Sequence, residues 1–277
     1  MSASPSPAAA AFWALHQSGC FVLPNPWDAG SAVFLASLGF RALATTSGGM
    51  AFSRALPDSP AAVPCELMLA HVRELVAATP LPVNADFQNA YADDPEGVAR
   101  NVAACVATGV GGLSVEDATG DAARPLYERA LAIERVRAAR AAIDAGGSGV
   151  VLTARAEAWL VGDAEPARTA IDRLVAFADA GADCLYAPGV RDPETIADLV
   201  RAVAPKPVNL LVSAPIPGLT LARIAELGVR RVSVGGALSR AAWGGFMRAA
   251  RALAAGSFDG LAGAPTHGEL DALFRRS

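Results

Sequence analysis

The sequence has no cysteine pair in metal or redox spacing, no basic stripe and no long apolar run, and each absence removes a class of function. Its four cysteines are Cys20, Cys65, Cys105 and Cys184. None forms Cys-x-x-Cys, which argues against thiolate metal sites and disulfide frameworks. Cys20 and Cys184 lie in apolar, strand-like stretches and read as small buried hydrophobes. This usage points to a reducing compartment, the cytoplasm. The net charge is −4, with both signs interspersed, so nucleic acid is not an expected partner. No apolar stretch reaches the roughly 18 residues of a membrane span, so no membrane association is expected. Residues 1–11 are rich in Ser, Pro and Ala and carry no basic residue. They read as a flexible tail rather than a secretory leader.

Several chemical signatures are missing too. No Gly-x-Gly-x-x-Gly follows the first strand-like run, and no phosphate-binding Gly-x-x-x-x-Gly-Lys occurs. Gly-x-Ser-x-Gly is absent, which argues against an elbow-type serine hydrolase. The histidines, His16, His71 and His267, fall in helical or terminal segments. None follows a strand-like run, which argues against a histidine base or a His-ligated zinc.

What is present is a regular alternation. The 277 residues are 53% hydrophobic and 18% charged, enough for a large core in one domain spanning 1–277. Eight short β-rich runs occur at Cys20–Leu23, Ala42–Thr45, Val83–Ala85, Gly112–Val115, Val150–Ala154, Cys184–Tyr186, Val208–Leu211 and Arg231–Val234. Between them lie helical patterns at Asp28–Leu38, Pro95–Ala107, Tyr127–Ala145, Glu165–Ala180, Pro193–Val203, Leu219–Leu227 and Ser239–Ala254. Gly39, Gly109, Gly181 and Gly228 stand where left-handed caps would end helices. Eight such units predict an α/β fold, a closed (β/α)8 TIM barrel, with an open doubly wound sheet as the alternative. Residues 256–277 form a C-terminal appendage, with Leu270, Leu273 and Phe274 on a short amphipathic helix.

Barrel chemistry collects after the C-terminal ends of the strands. The second run is followed by Ser47-Gly48-Gly49, which reads as a carboxylate cradle or as a plain glycine turn. Asp86 and Gln88 follow the third run, and Glu116-Asp117 the fourth. Asp86, Glu116 and Asp117 gathered in a low-dielectric mouth would repel one another without a cation. Hard oxygen ligands there suggest Mg2+ or Mn2+. Asp93 and Asp94 read as helix caps. Arg155, after the fifth run, suits a substrate carboxylate, or else pairs with Glu157 or Glu116. Asn209, in the seventh run, either contacts substrate or is a buried amide tied to backbone.

These residues resemble the isocitrate lyase/phosphoenolpyruvate mutase superfamily, including its phosphonomutase-like and methylisocitrate lyase branches. The resemblance runs from about Leu23 to Ala254. It is carried by NPWDAGSA, GFRALATTSGG, LPDSP, LPVNADFQNAYADDPEGVARNV, GVGGLSVEDATGD, VVLTARAEAWL and FADAGADCLYAPGV. It implies magnesium, a small 2-oxo acid or dicarboxylate ligand, and a homotetramer built as a dimer of dimers, with the eighth helix swapped between subunits. Leu238, Trp243, Phe246, Leu261 and Phe274 supply apolar surface for a partner or for the chain's own barrel.

Carried over by position, Ser47, Gly48 and Gly49 would bind a substrate carboxylate. Asp86 would contact the metal, while Asp58 and Glu116 would hold its waters. Arg155 would bind carboxylate or stabilise an enolate, and Asn209 would contact substrate. Gln88 stands where the family often has a second acid, which lowers the expected metal affinity. The stretch Asp117–Ala122 has no Cys, Lys or His, so the usual loop acid of the lyases and the mutase lysine are both missing. The expected activity is a carbon–carbon lyase acting through an enolate, as in oxaloacetate decarboxylation or methylisocitrate cleavage. The alternatives are a phosphonopyruvate-type P–C enzyme, a non-catalytic barrel binding a 2-oxo dicarboxylate, and an unrelated phosphate-binding barrel.

Overall fold

The computed structural model describes residues 4–275. All eight expected strands are there: β1 (Phe21–Leu23), β2 (Leu43–Ala44), β3 (Val83–Asp86), β4 (Gly112–Glu116), β5 (Val151–Arg155), β6 (Cys184–Tyr186), β7 (Val208–Leu211) and β8 (Arg231–Ser233). They form one parallel sheet in which strands β2 to β8 follow in order and β1 returns beside β8. The seam between β1 and β2 is bridged by the Ala44 N–H donating to the Pro24 carbonyl at 3.0 Å. The fold is a (β/α)8 barrel.

The helices are α1 (Pro7–Leu15), α2 (Ala29–Ser37), α3 (Ser47–Ser53), α4 (Cys65–Ala78), α5 (Pro95–Val106) and α6 (Arg129–Ala145). After them come α7 (Pro166–Asp179), α8 (Pro193–Val203), α9 (Leu221–Glu226), α10 (Ala237–Ala254) and α11 (His267–Phe274). Asp28 starts α2 through a capping box with Ser31. Gly109 and Gly181, at φ +91° and +105°, end α5 and α7 in the left-handed conformation that glycine adopts without strain.

Three helices depart from the sequence reading, α1, α4 and, at the barrel mouth, α3. Residues 7–11, expected to be flexible, are the start of α1. Ser6 caps the helix, and its residues Ala9 and Phe12 are fully buried. Phe12 packs edge-on against His16 and Phe21 at ring distances of 4.8 and 6.4 Å, so α1 plugs the N-terminal end of the barrel. Gly112 makes room for it, since a Cβ there would lie 2.5 Å from the Phe12 ring. Helix α4, for which the sequence reading gave no bounds beyond placing His71 in a helical segment, has a buried face at helical spacing in Met68, Leu69, Val72 and Leu75.

Strand side chains alternate, and the two faces differ in chemistry. Leu113, Val115, Leu152, Ala154, Leu185 and Leu210 are buried in the main apolar core. The positions between them face the barrel axis and are largely polar. Cys184 is buried as expected, while Cys20 is only half-buried. The appendage folds back: a turn at Asp259–Leu261 packs on α10, and the Phe274 ring of α11 reaches Gly30 of α2.

Candidate active site

Strands β3, β4 and β5 end in Asp86, Glu116 and Arg155. Glu116 and Arg155 are register partners, so both point to the axis at the barrel mouth. The Arg155 guanidinium draws the acids together. Its Nη1 lies 2.7 Å from Asp86, its Nη2 3.2 Å from Glu116 and its Nε 2.8 Å from Glu157. The expected alternatives for an internal partner, Glu157 and Glu116, are therefore both realised. The second Asp86 oxygen accepts the Ser47 N–H at 3.0 Å, and the Asp86 N–H donates to Thr45 Oγ1 at 2.8 Å.

Ser47-Gly48-Gly49 is neither an open cradle nor a plain turn. It is the first turn of α3, capped by Thr46, whose Oγ1 accepts the Gly49 N–H at 3.3 Å. Asp58 rests on that turn. A Cβ at Gly48 would lie 2.8 Å from Asp58 Oδ2, so glycine admits the carboxylate. A Cβ at Gly49 would lie 2.6 Å from Thr46 and 2.8 Å from Trp27. Gln88 Nε2 donates to Asp58 Oδ1 at 3.1 Å.

Gln88, Ala90 and Tyr91 all have positive φ, at +45°, +58° and +55°. Such backbone costs roughly 1–2 kcal/mol per residue without glycine, and it concentrates at functional sites. It turns the Gln88 amide onto Asp58 and leaves Gln88 Oε1 buried without a partner.

The electrostatics follow from burial. Loss of solvent pushes Glu116 well above the usual carboxylate range; Arg155 opposes this, while Glu157 and Asp86 add to it. Glu157 is also raised by burial, again against Arg155. Asp58 is raised by burial and then by Asp86, and is held back by Ser47 and Gln88. Burial works against charge on Arg155, but Glu157, Glu116 and Asp86 outweigh it and hold the guanidinium protonated.

Three side chains do other work than expected. Asp117 turns away from the mouth, accepting the Glu157 N–H at 2.8 Å and Arg173 Nη1 at 3.1 Å. Asp93 is not a cap but accepts the Tyr127 hydroxyl at 2.5 Å, while Asp94 does cap α5. Asn209 is a buried amide, held by side chains and not by backbone. It accepts from Arg231 Nε at 2.8 Å and donates to Ser233 Oγ at 2.9 Å. The sequence reading passed over Thr45, Tyr186 and Arg231, whose inward direction depends on strand register.

A polar cavity of about 40 Å³ lies beneath the acids, lined in part by Asp86, Arg155, Tyr186, Asn209 and Arg231. That volume admits water but not a 2-oxo acid, so a substrate must sit above it. Among the described residues, no three His, Cys, Asp or Glu side chains form a ready metal cage. The donors at the mouth are all oxygens, which suits a hard cation that takes one or two carboxylates and keeps its waters. The unpartnered Gln88 Oε1 fits such a hydrated ion.

A parallel barrel with acids and an arginine at its strand ends defines a class of enzymes that work at the C-terminal mouth. The family model described as phosphoenolpyruvate phosphomutase matches residues 12–254, and the chain belongs to this family, within the isocitrate lyase/phosphoenolpyruvate mutase superfamily. A Burkholderia cenocepacia J2315 crystal structure described as a lyase/mutase is 46% identical, with a TM-score of 0.92 over 97% of this chain and 96% of its own. An oxaloacetate decarboxylase of Rhodopseudomonas palustris is 30% identical over 71% of this chain and 67% of its own. A phosphonopyruvate hydrolase in complex with oxalate and Mg2+ is 25% identical, with a TM-score of 0.84 over 96% and 94% of the two chains. Relatives named for a reaction include lyases, a decarboxylase and a hydrolase. No described helix is long and apolar enough to cross a membrane.

Proposed function

We propose that the chain is a divalent-cation-dependent lyase that cleaves a carbon–carbon bond of a small 2-oxo acid or related carboxylate, with oxaloacetate decarboxylation as the simplest case. One observation carries this reading: Arg155 joins Asp86 and Glu116 at the mouth, one hydrogen bond from the Ser47 turn. The Ser47-Gly48-Gly49 turn offers a substrate carboxylate a hydroxyl and the positive end of a short helix. Asp86 would hold Mg2+ or Mn2+, with Asp58, Glu116 and Gln88 holding its waters. A cation there supplies Lewis-acid stabilisation for charge on the 2-oxo oxygen. Arg155 has N–H groups for the same developing charge, and one such donor is typically worth about 10²–10³ in rate.

The test is pyruvate release from oxaloacetate, methylisocitrate, isocitrate and phosphonopyruvate with Mg2+. Turnover of one of them, abolished by chelator and by Asp86→Ala, is the expected result. Turnover indifferent to both would sink the reading. Saturable binding of 2-oxoglutarate without any turnover would favour a non-catalytic barrel. That second reading draws on Arg155, whose guanidinium is engaged by three of the chain's own carboxylates.

We also infer a homo-oligomer, assembled on α10. Ser239 is its only fully buried residue, while Trp243, Phe246, Met247 and Leu253 stand exposed along it. A second copy presenting the same helix would cover them, and a swapped α10 in a tetramer fits the family resemblance. Light scattering on Phe246→Asp should report a smaller assembly than the wild type.

A further inference from the structure

Cleavage that leaves an enolate needs a proton donor, and the raised acids Glu116 and Glu157 are both bonded to Arg155. The single lysine, Lys206, precedes β7 at the foot of the barrel. His16 is at the foot as well, His71 is buried in α4, and His267 starts the surface helix α11. Three tyrosines remain. The Tyr127 hydroxyl is tied to Asp93. The Tyr91 hydroxyl is buried without a partner and its ring packs on Phe87 at 5.2 Å, so no hydrogen bond orients it toward the mouth. Tyr186 lines that cavity beside Asp86 and Arg155.

Tyr186 ends β6 and is the register partner of Arg155 on one side and Asn209 on the other. The Arg155 guanidinium carbon sits 5.1 Å from its ring centre. A directional row of hydrogen bonds leads to it from the foot. Arg231 Nε donates to Asn209 and Asn209 donates to Ser233, whose hydroxyl is near enough to the Tyr186 phenol to act on it. The row starts at a buried cation with no carboxylate partner among the described residues, since the other Arg231 nitrogens meet Thr153 at 3.0 Å and His16 at 3.3 Å. Each link therefore donates toward the mouth, and links polarised in one direction reinforce each other. A hydroxyl there can donate to the phenol oxygen, which leaves the phenol O–H to donate in turn.

We propose that Tyr186 is the catalytic proton donor of this site, delivering its hydroxyl proton to the enolate carbon; the assignment rests on the lyase reading. When the carbon–carbon bond breaks, its electron pair forms the enolate. The enolate carbon takes the Tyr186 proton in a new C–H bond. The O–H pair stays on the phenolate oxygen, beside the Ser233 hydroxyl and the Arg155 charge, and a solvent proton restores the phenol. Burial pushes Tyr186 up to about 12 while Arg155 pulls it down, so the group stays protonated at neutral pH. An enolate carbon is a stronger base than a phenolate, so the transfer runs downhill.

The experiment measures deuterium exchange into the pyruvate methyl group by NMR, with Mg2+ in D2O, and oxalate binding by calorimetry. Oxalate mimics the planar enolate and needs no proton. Wild-type protein should do both. Tyr186→Phe, which keeps the ring beneath Arg155, should bind oxalate within about threefold and lose exchange by about 10²-fold or more. Exchange retained in Tyr186→Phe overturns the assignment. So does a Tyr186→Phe protein that loses oxalate along with exchange, since the hydroxyl would then serve binding. Wild-type protein that binds oxalate without exchanging pyruvate overturns the donor and leaves the carboxylate site standing. Wild-type protein that binds no oxalate overturns both.

Discussion

Arg155→Met should make the stability of the fold depend on protons or on a divalent cation. The guanidinium is 12% exposed and lies 2.7, 3.2 and 2.8 Å from three carboxylates. Methionine keeps much of the stem and removes the charge. Deleting one partner of a buried ion pair costs about 3–5 kcal/mol, because the other charge is left uncompensated. Part of that cost disappears if the acids take protons. Glu116 and Glu157 are already raised by burial, and Arg155 is the first influence opposing this, so both rise further without it. An acid whose folded pKa lies above its unfolded value holds its proton more tightly when folded. Unfolding then releases protons, and stability falls as pH climbs from the unfolded value of 4.5 through the raised folded value. The deficit of the variant should thus be small near the unfolded value and approach about 3–5 kcal/mol once both acids are ionised. Urea unfolding across this range, in chelator and then in Mg2+, reads it out. Mg2+ should stabilise the variant more than the wild type, since it restores a missing charge. A deficit that ignores both pH and Mg2+ would refute the idea that Asp86, Glu116 and Glu157 share one charged space.

Three further predictions follow from single contacts. Gln88→Glu replaces the amide that donates to Asp58 with a second carboxylate. It should tighten Mg2+ binding by about tenfold in calorimetry, through higher ligand charge, and lower the melting temperature in chelator; weaker binding would count against a cation beside Gln88. His16 is lowered to about 3 by burial and by Arg231. Its neutral form therefore contributes stability above the unfolded value of 6.5 that is lost as pH falls toward 3, on the order of 4 kcal/mol at the acid end. His16→Gln should flatten that part of the acid-unfolding curve, and an unchanged curve would reject the assignment. Phe12→Ala should cost about 3–5 kcal/mol, and Gly112→Ala should be less damaging once the Phe12 ring is gone, leaving the approach of the new Cβ to Asn84 Oδ1 at 2.8 Å. The double variant should be less destabilised than the sum of the two, as measured by denaturant unfolding; strict additivity would deny the contact.

The strands were legible to within about a residue, because short β-rich runs bounded by helix caps repeat eight times. The acids were legible for the same reason: Asp86 and Glu116 follow their runs too closely to be caps. Asp117 was misread as a third acid in the mouth, although alternation places 116 and 117 on opposite faces. Helix α1 was hidden by a Ser/Pro/Ala composition that resembles a tail; its order comes from Phe12 entering the foot of the barrel. The Ser47 turn read as loop because glycine is a poor helix former. Only the approach of Asp58 and Trp27 shows why glycines start a helix there. Tyr186 and Arg231 were passed over because their importance lies in register, which pairs residues from different strands and has no local signal.

That register also reconciles two features that look unfavourable alone. The row Glu116, Arg155, Tyr186, Asn209, Arg231 runs across five neighbouring strands. Glu116, Arg155 and Tyr186 end their strands, whereas Arg231 begins β8, so the row climbs from foot to mouth as the tilt of a closed barrel requires. At its upper end Asp86, Glu116 and Glu157 outnumber Arg155. At its lower end Arg231 is 2% exposed and meets only neutral groups among its hydrogen-bond partners. Each end would be costly in isolation. The cation that acts on Glu116 and Glu157 is Arg155, while Arg231 acts upward through the hydrogen bonds of Asn209 and Ser233. The hydrogen bonds along the barrel axis are thereby oriented from the cation at the foot toward the mouth.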